Sequence, residues 1–402
     1  MRFFATCARG TEGALRRELS ALRLHGVRGE RGGVAFEGPL EAGMKACLHV
    51  RTAMRVMLEL GRFPAPDAGA LYEGARALPW SDWLDVRTTL AVDASVASET
   101  ITHSGFAALK VKDAVVDALR ERLGARPDVD TADPDVRIAL HLARDEATLS
   151  LDLAGEPLHR RGWRVEQGPA PLKETLAAAV LLLGGADTEL PLVDPMAGSG
   201  TFPVEHAMRA RRIAPGLGRA FGFQRWPPYR GGPQSSFDHL RAEARAAVLP
   251  RAPAPIVARD LHPKALAALR RNVAEAGLAE DIRVEEGDAR DLGPMAAQGT
   301  LVLNPPYGER LMSGRGGRGA PSTSARSAGL RSGRAESTEV KKLRGFYRGL
   351  AEMLERHAGW TALLLSGNPL LAAEVKRRPS VDHRLWNGPL EVHLLKYAIP
   401  KR

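Results

Sequence analysis

Residues 166–402 predict an α/β domain built on a mostly parallel, helix-covered sheet. Three observations carry that expectation. Helical stretches alternate with apolar runs at Leu192-Val193, Ile256-Val257-Ala258, Ile282 to Val284, Leu301-Val302-Leu303 and Ala362 to Leu365, an order that places successive strands side by side in parallel. The first of these runs leads into a glycine turn and then a helix. The fourth ends in Asn304-Pro305-Pro306-Tyr307, where two prolines without backbone N–H groups force the chain out of the sheet in a stiff, extended turn.

Upstream, short elements prevail. Phe3 to Cys7 reads as a strand, Thr11 to Leu15 opens a helix carrying Arg16, Arg17 and Glu18, Val34-Ala35-Phe36 is a second strand, and Leu40 to Cys47 suggests another helix. Past a linker at Pro64 and Pro66, Val92, Ala94 and Val96 alternate with polar residues, and Val111, Val115, Leu119 and Leu123 recur at helical spacing. Ile138, Leu140 and Leu142, then Leu149, Leu151 and Leu153, give two period-two strands that suit a pair. The chain turns basic at His159 to Arg164, then passes Pro169 and Pro171. The main domain boundary is expected there, which divides the chain into 1–60, 61–165 and 166–402.

The glycine turn is Asp194-Pro195-Met196-Ala197-Gly198-Ser199-Gly200-Thr201. Glycines let the backbone approach a ligand and aim helix N-terminal N–H groups at it. No Gly-Lys-Ser/Thr follows, which excludes a P-loop, and the third glycine of a dinucleotide fingerprint is missing. The next strands end in acids. Asp260 closes Ile256 to Arg259, where a carboxylate can take both ribose hydroxyls, and Asp288-Ala289 follows the third strand, where an acid can accept from an adenine amine. Asp260 lies further from the glycines than the roughly 20 residues usual for such folds, because a Pro/Gly/Arg-rich stretch from about Ile213 to Pro255 intervenes. Three strand ends in this order, with Asn304 on the fourth, describe S-adenosylmethionine.

At the fourth strand end, Asn304 presents a side-chain carbonyl and the prolines leave neighbouring backbone carbonyls without local donors. Tyr307 adds a flat ring. Acceptors for an –NH2 beside a ring that can stack suit the exocyclic amine of a nucleobase. The overall charge is compatible: 57 Lys and Arg against 47 Asp and Glu give +10, a balance that favours a polyanionic partner. Cys7 and Cys47, the two cysteines, have neither metal nor disulfide spacing. With no signal segment and no long apolar run, a soluble, cytoplasmic protein without a metal is expected. Residues 313–338 are dominated by Gly, Ser, Ala and Arg and lack the apolar residues to offset ordering. A disordered insertion is expected there, either a tolerated loop or an RNA-binding arm.

These residues resemble the THUMP-domain class I RNA methyltransferases, and among them the bacterial large-subunit ribosomal RNA guanine-N2 methyltransferases. Ser104 to Ala114 is similar to the THUMP core, Leu158 to Arg164 and Pro171 to Glu174 to the family's junction, and Asp194 to Thr201, Asn304 to Leu311 and Asn387 to Leu390 to its methyltransferase signatures. The resemblance implies a Rossmann-like, seven-stranded catalytic domain preceded by ferredoxin-like and THUMP regions. It implies S-adenosylmethionine at Asp194, Pro195, Ala197, Gly198, Ser199, Gly200, Thr201, Asp260, Asp288, Ala289 and Asn304. Catalysis falls to Asn304, Pro305, Pro306 and Tyr307, on guanine N2 of 23S ribosomal RNA or a large-subunit precursor. Lys110, Lys112, Arg160, Arg161 and Arg164 are the candidates for RNA phosphate contacts. Transfer RNA methylation, DNA amino-methylation and a non-catalytic ribosome-assembly role remain as alternatives. Two departures stand out: some relatives carry a second methyltransferase domain, and the arginine-rich insertion takes the place of a short loop.

Overall fold

The computed structural model describes residues 1–166, 172–230, 232–307 and 338–401. Pro169, Pro171, the 308–311 stretch and the insertion expected from residue 313 up to 337 lie outside the described residues. The chain divides into two compact units: Met1–Val165, Leu172–Leu183 and Met208–Arg251 form one, and Glu166–Pro171, Gly184–Ala207 and Ala252–Arg402 the other.

In the first unit the elements run β1 (Arg2–Cys7), α1 (Glu12–Ala21), β2 (His25–Glu30), β3 (Gly33–Glu37), α2 (Leu40–His49), β4 (Ala53–Pro64), α3 (Ala68–Arg76), β5 (Leu90–Ala97), α4 (Ser104–Leu123), β6 (Val136–Ala143) and β7 (Glu146–Asp152). They build one seven-stranded sheet in the order β2-β3-β1-β4-β7-β6-β5. Two strands, β2 and β4, do not show in the sequence as alternation. β2 is an exposed edge with no apolar face, and β4 is buried from both sides over its middle. Twelve residues long, β4 pairs with β1 (Arg2↔Glu59) and with β7 (Met57↔Asp152). The linker read at Pro64 is therefore its last residue, and the boundary expected near residue 60 falls inside a strand. The pair read from the period-two pattern is the β6–β7 hairpin. Its two turn residues, Arg144 and Asp145, both have positive φ (52° and 58°), the twist that a tight hairpin needs.

The Pro/Gly/Arg-rich stretch is more than a spacer. Within this unit it folds as short 3-10 turns followed by α7 (Gly232–Ala246), and it buries Phe221, Phe223, Trp226, Tyr229 and Phe237. Phe223 meets Phe237 edge-on, centroids 4.9 Å apart, an arrangement aromatic quadrupoles favour. Irregular aromatic spacing hid this core from a search for periods.

The second unit holds β8 (Leu192–Asp194), β9 (Ile256–Asp260), β10 (Ile282–Glu286), β11 (Thr300–Leu303), β12 (Thr361–Ser366), β13 (Val381–Asn387) and β14 (Leu390–Ala398). Of the remaining helices, α5 (Glu174–Gly184) falls almost wholly in the first unit, α6 (Thr201–Ala210) begins in the second, and α8 (Pro263–Glu275), α9 (Thr338–Arg356) and α10 (Pro369–Val375) lie in the second. The sheet order is β10-β9-β8-β11-β12-β14-β13. The first five of these strands are parallel, and β14 joins antiparallel to β12 and β13. The α/β, mostly parallel expectation is met, with a C-terminal hairpin added. On α9 the buried Leu343, Tyr347, Leu350 and Leu354 recur at helical spacing, which lays one face on the sheet. Among the described residues no helix is long and apolar enough to cross a membrane.

Candidate active site

Strand order reverses between β8, whose next chain neighbour β9 lies on one side, and β11 on the other. In open α/β sheets, ligands bind outside the carboxyl ends of the strands at such a switch point. The glycine turn leaves β8 there, and Asn304 leaves β11.

Backbone hydrogen bonds fix the turn. Asp194, at 2 % exposure, folds its carboxylate back to accept from the Met196 N–H (3.1 Å). Burial, with the nearby Asp260 charge adding to it, pushes this carboxyl well above the usual range. Ala197 donates to the Arg259 carbonyl (2.8 Å), and Gly200 donates to Ala197 (2.8 Å). Gly198 and Gly200 have φ of 56° and 92°, in the region where glycine carries no steric cost. Their reasons differ. A Cβ on Gly200 would stand 2.5 Å from Leu269 Cδ1, whereas Gly198 faces open space, as close ligand approach requires. Pro195, Ala197 and Thr201 are buried beneath the turn.

Asp260 joins this turn directly. One oxygen accepts from the Gly198 N–H (2.9 Å) and the other from the His262 N–H (2.9 Å). A carboxylate offers about four acceptor sites, so hydroxyl ligands can still be bound. Asp288 lies next along the sheet. Gly287 donates to the Asp260 carbonyl (3.1 Å), and Asp288 caps the short turn at Ala289–Asp291 through the Arg290 N–H (2.8 Å). The Arg290 guanidinium pairs with the Asp288 carboxylate (2.6 Å) and holds that carboxyl below its ordinary value. Ala289 is buried behind it.

At the β11 end, Asn304 Oδ1 accepts from the Tyr307 hydroxyl (2.7 Å). A carbonyl oxygen has two lone pairs, and one remains. Pro305 is buried, while Asn304, Pro306 and Tyr307 are partly exposed. The Tyr307 ring lies against Gly367, where a Cβ would come within 2.9 Å of the ring.

Two supports escaped the sequence reading. Asn272, fully buried on α8, donates to the Ser199 carbonyl (2.9 Å) and to the Glu166 carbonyl (3.0 Å), and accepts from the Glu166 N–H (3.1 Å). The glycine turn thus rests on a buried amide. Tyr347 on α9 holds the Asn304 turn. Both sit on faces that read as core, so only a polar residue amid an apolar stripe marked them.

The basic candidates all lie in the first unit, and two of the five need correction. Arg161 is 5 % exposed and donates to the Leu158 and Arg51 carbonyls. Arg164 pairs with Glu174 (2.5 Å), both side chains being buried, and its guanidinium lies over the Trp163 ring (4.8 Å). Neither is presented to a phosphate; both are held by partners inside the first unit. Arg160 is exposed and pairs with Glu156, Lys112 pairs with Asp113 (2.5 Å), and Lys110 lies 5.9 Å from the Phe106 ring. Removing one partner of a buried pair strands the other charge. Arg164→Ala should therefore destabilise the protein by about 3–5 kcal/mol, read as a lowered unfolding midpoint in denaturant. A variant with an unchanged midpoint but weakened RNA binding would restore Arg164 to the RNA contacts.

A seven-stranded sheet of this order is the fold of the class I methyltransferases, whose cofactor is S-adenosylmethionine. Residues 161–318 match the RMKL-like methyltransferase domain, 65–152 the THUMP domain and 2–57 the RlmL ferredoxin-like domain. The chain thus carries, in order, a ferredoxin-like, a THUMP and an RMKL-like methyltransferase domain. It is 41 % identical over its full length to the ribosomal RNA large subunit methyltransferase K/L of Syntrophotalea carbinolica, covering 54 % of that protein. To the protein of the same name from Methylococcus capsulatus it is also 41 % identical, covering 52 %. The chain thus spans about half the length of the curated relatives it matches. The crystal structure of SMU.472 complexed with SAH superposes with a TM-score of 0.86 at 28 % identity, covering 100 % of this chain and 98 % of that one. A structure from Listeria monocytogenes described as a predicted N6-adenine-specific DNA methylase gives 0.83 at 28 % identity, covering 99 % and 96 %.

Proposed function

We propose that this chain transfers a methyl group from S-adenosylmethionine to the exocyclic N2 of a guanine in large-subunit ribosomal RNA. The second unit, which holds the glycine turn and Asn304, forms the catalytic part, and the first unit, with 172–183 and 208–251 included, forms the RNA-binding region. The observation that carries the reading is the placement of Asn304 at the switch point, one strand from the glycine turn. The names of the full-length relatives favour ribosomal RNA as the polymer.

The residues fit the cofactor. Open space beside Gly198 admits a ligand against the backbone, the Asp260 carboxylate takes the ribose hydroxyls, and Asp288 with Ala289 receives the adenine. Bound S-adenosylmethionine supplies an electrophilic methyl group on a sulfonium. The guanine amine is a weak nucleophile because its lone pair is delocalised into the ring. Asn304 Oδ1 and the Pro305 carbonyl accept hydrogen bonds from its two N–H groups, which favours a pyramidal nitrogen with its lone pair directed outward. Tyr307 stacks on a base splayed from its helix. Positioning and fixed dipoles provide the acceleration, and the surplus proton passes to solvent.

The test is labelled methyl transfer to purified 23S ribosomal RNA, transfer RNA and duplex DNA offered separately. Incorporation confined to 23S RNA is the expected result. Preference for transfer RNA or DNA would replace the substrate assignment, and S-adenosylmethionine binding without transfer to any of them would favour the non-catalytic assembly role.

A further inference from the structure

Four consecutive residues leave β11 with several acceptors that could compete for one amine, and the surrounding helices dispose of two of them. The Pro306 carbonyl accepts from the Tyr347 hydroxyl (2.7 Å), and Tyr347 is completely buried on α9. The Tyr307 carbonyl accepts from Asn368 Nδ2 (3.0 Å). Asn368 is itself fixed. Its Oδ1 caps α10 by accepting from the Leu370 N–H (3.0 Å), its N–H donates to Ser366 Oγ (3.2 Å), and Ser366 Oγ donates to its carbonyl (2.8 Å). Gly367 between them leaves room for the Tyr307 ring. Among the described residues these donors bind the last two carbonyls of the turn, while Asn304 Oδ1, bonded to the Tyr307 hydroxyl, keeps a second lone pair for an amine.

We propose that Tyr347 and Asn368 are positioning residues for methyl transfer: they clamp the Asn-Pro-Pro-Tyr turn through its distal carbonyls and so select which two acceptors grip the amine. The inference rests on the proposed amine methylation but adds residues that touch neither substrate nor cofactor. A rigid clamp matters because an acceptor displaced by about 1 Å can cost a factor on the order of 100 in rate. Burial pushes the Tyr347 phenol up to about 12, so it remains a donor at any pH suited to RNA.

Two substitutions isolate the clamp. Tyr347→Phe keeps the buried ring and removes only the hydroxyl. Asn368→Asp keeps the helix-capping oxygen but turns the donor into an acceptor facing the Tyr307 carbonyl. Single-turnover rates on 23S RNA, with enzyme counted as S-adenosylmethionine-binding sites, exclude any unfolded fraction. Each variant should lose about tenfold to a hundredfold in rate while its affinity for S-adenosylmethionine and the RNA stays at the wild-type level. Wild-type rates per binding site in both variants would overturn the clamp alone. Loss of rate only in proportion to lost cofactor affinity would also overturn it. If the wild-type protein itself methylates no RNA, the proposed function falls and the clamp with it.

Discussion

Replacing Asn304 by alanine should abolish methyl transfer and leave S-adenosylmethionine binding intact. The side chain removed is the acceptor that Tyr307 now occupies at 2.7 Å and that the substrate amine would share. Losing one preorganised polar partner of a transition state typically costs a factor of about 100–1000 in turnover. Here the loss should be larger, because the amine keeps a single acceptor and Tyr307 loses the partner that orients it. Asn304→Asp keeps an oxygen in place and should retain more activity than the alanine variant. Burst kinetics with labelled cofactor, paired with a cofactor titration, separate the two effects. Ordinary turnover by the alanine variant would remove Asn304 from the chemistry.

Asp260→Ala should show the opposite pattern, failing first in cofactor binding. Its two oxygens hold the Gly198 and His262 N–H groups, so the substitution both removes acceptors for the ribose and releases the turn. Hydrogen bonds to a charged group contribute about 1.5–3 kcal/mol each. Losing two predicts a fall in affinity of roughly a hundredfold or more, at about 1.4 kcal/mol per tenfold. Calorimetric titration measures this directly. A variant that binds S-adenosylmethionine normally yet turns over slowly would mean that Asp260 is misassigned to the cofactor.

Much of the candidate site was legible because its residues depart from the local rules of strands and helices. Proline after proline at a strand end, and glycines where a helix begins, are poor choices for stability, and they stood out in sequence order. Alternation gave the β6–β7 pair, because burial on one face imposes a period of two, and continuous apolar runs between helices gave the parallel core, whose strands are buried on both faces. What failed to show was held by tertiary contact instead. β4 reads ambiguously because sheet neighbours on both sides and a covered face replace alternation. The aromatic cluster of Phe221, Phe223 and Phe237 has no period, so its stretch passed for a spacer. Arg161 and Arg164 looked like RNA contacts because a basic run carries no mark of burial, and Glu174, which neutralises Arg164, lies ten residues on. Asn272 and Tyr347 were hidden as single polar positions on apolar helix faces.

The Asn304 turn is proposed to direct methylation to the exocyclic amine of guanine in RNA. Nucleoside mass spectrometry of 23S RNA, methylated by this chain with isotopically labelled S-adenosylmethionine, tests it most directly. Label is expected in N2-methylguanosine at a defined guanine, and none with the Asn304→Ala variant. Label in methyladenosine, in a ring-nitrogen or ribose methylation, or equally with both proteins would contradict it.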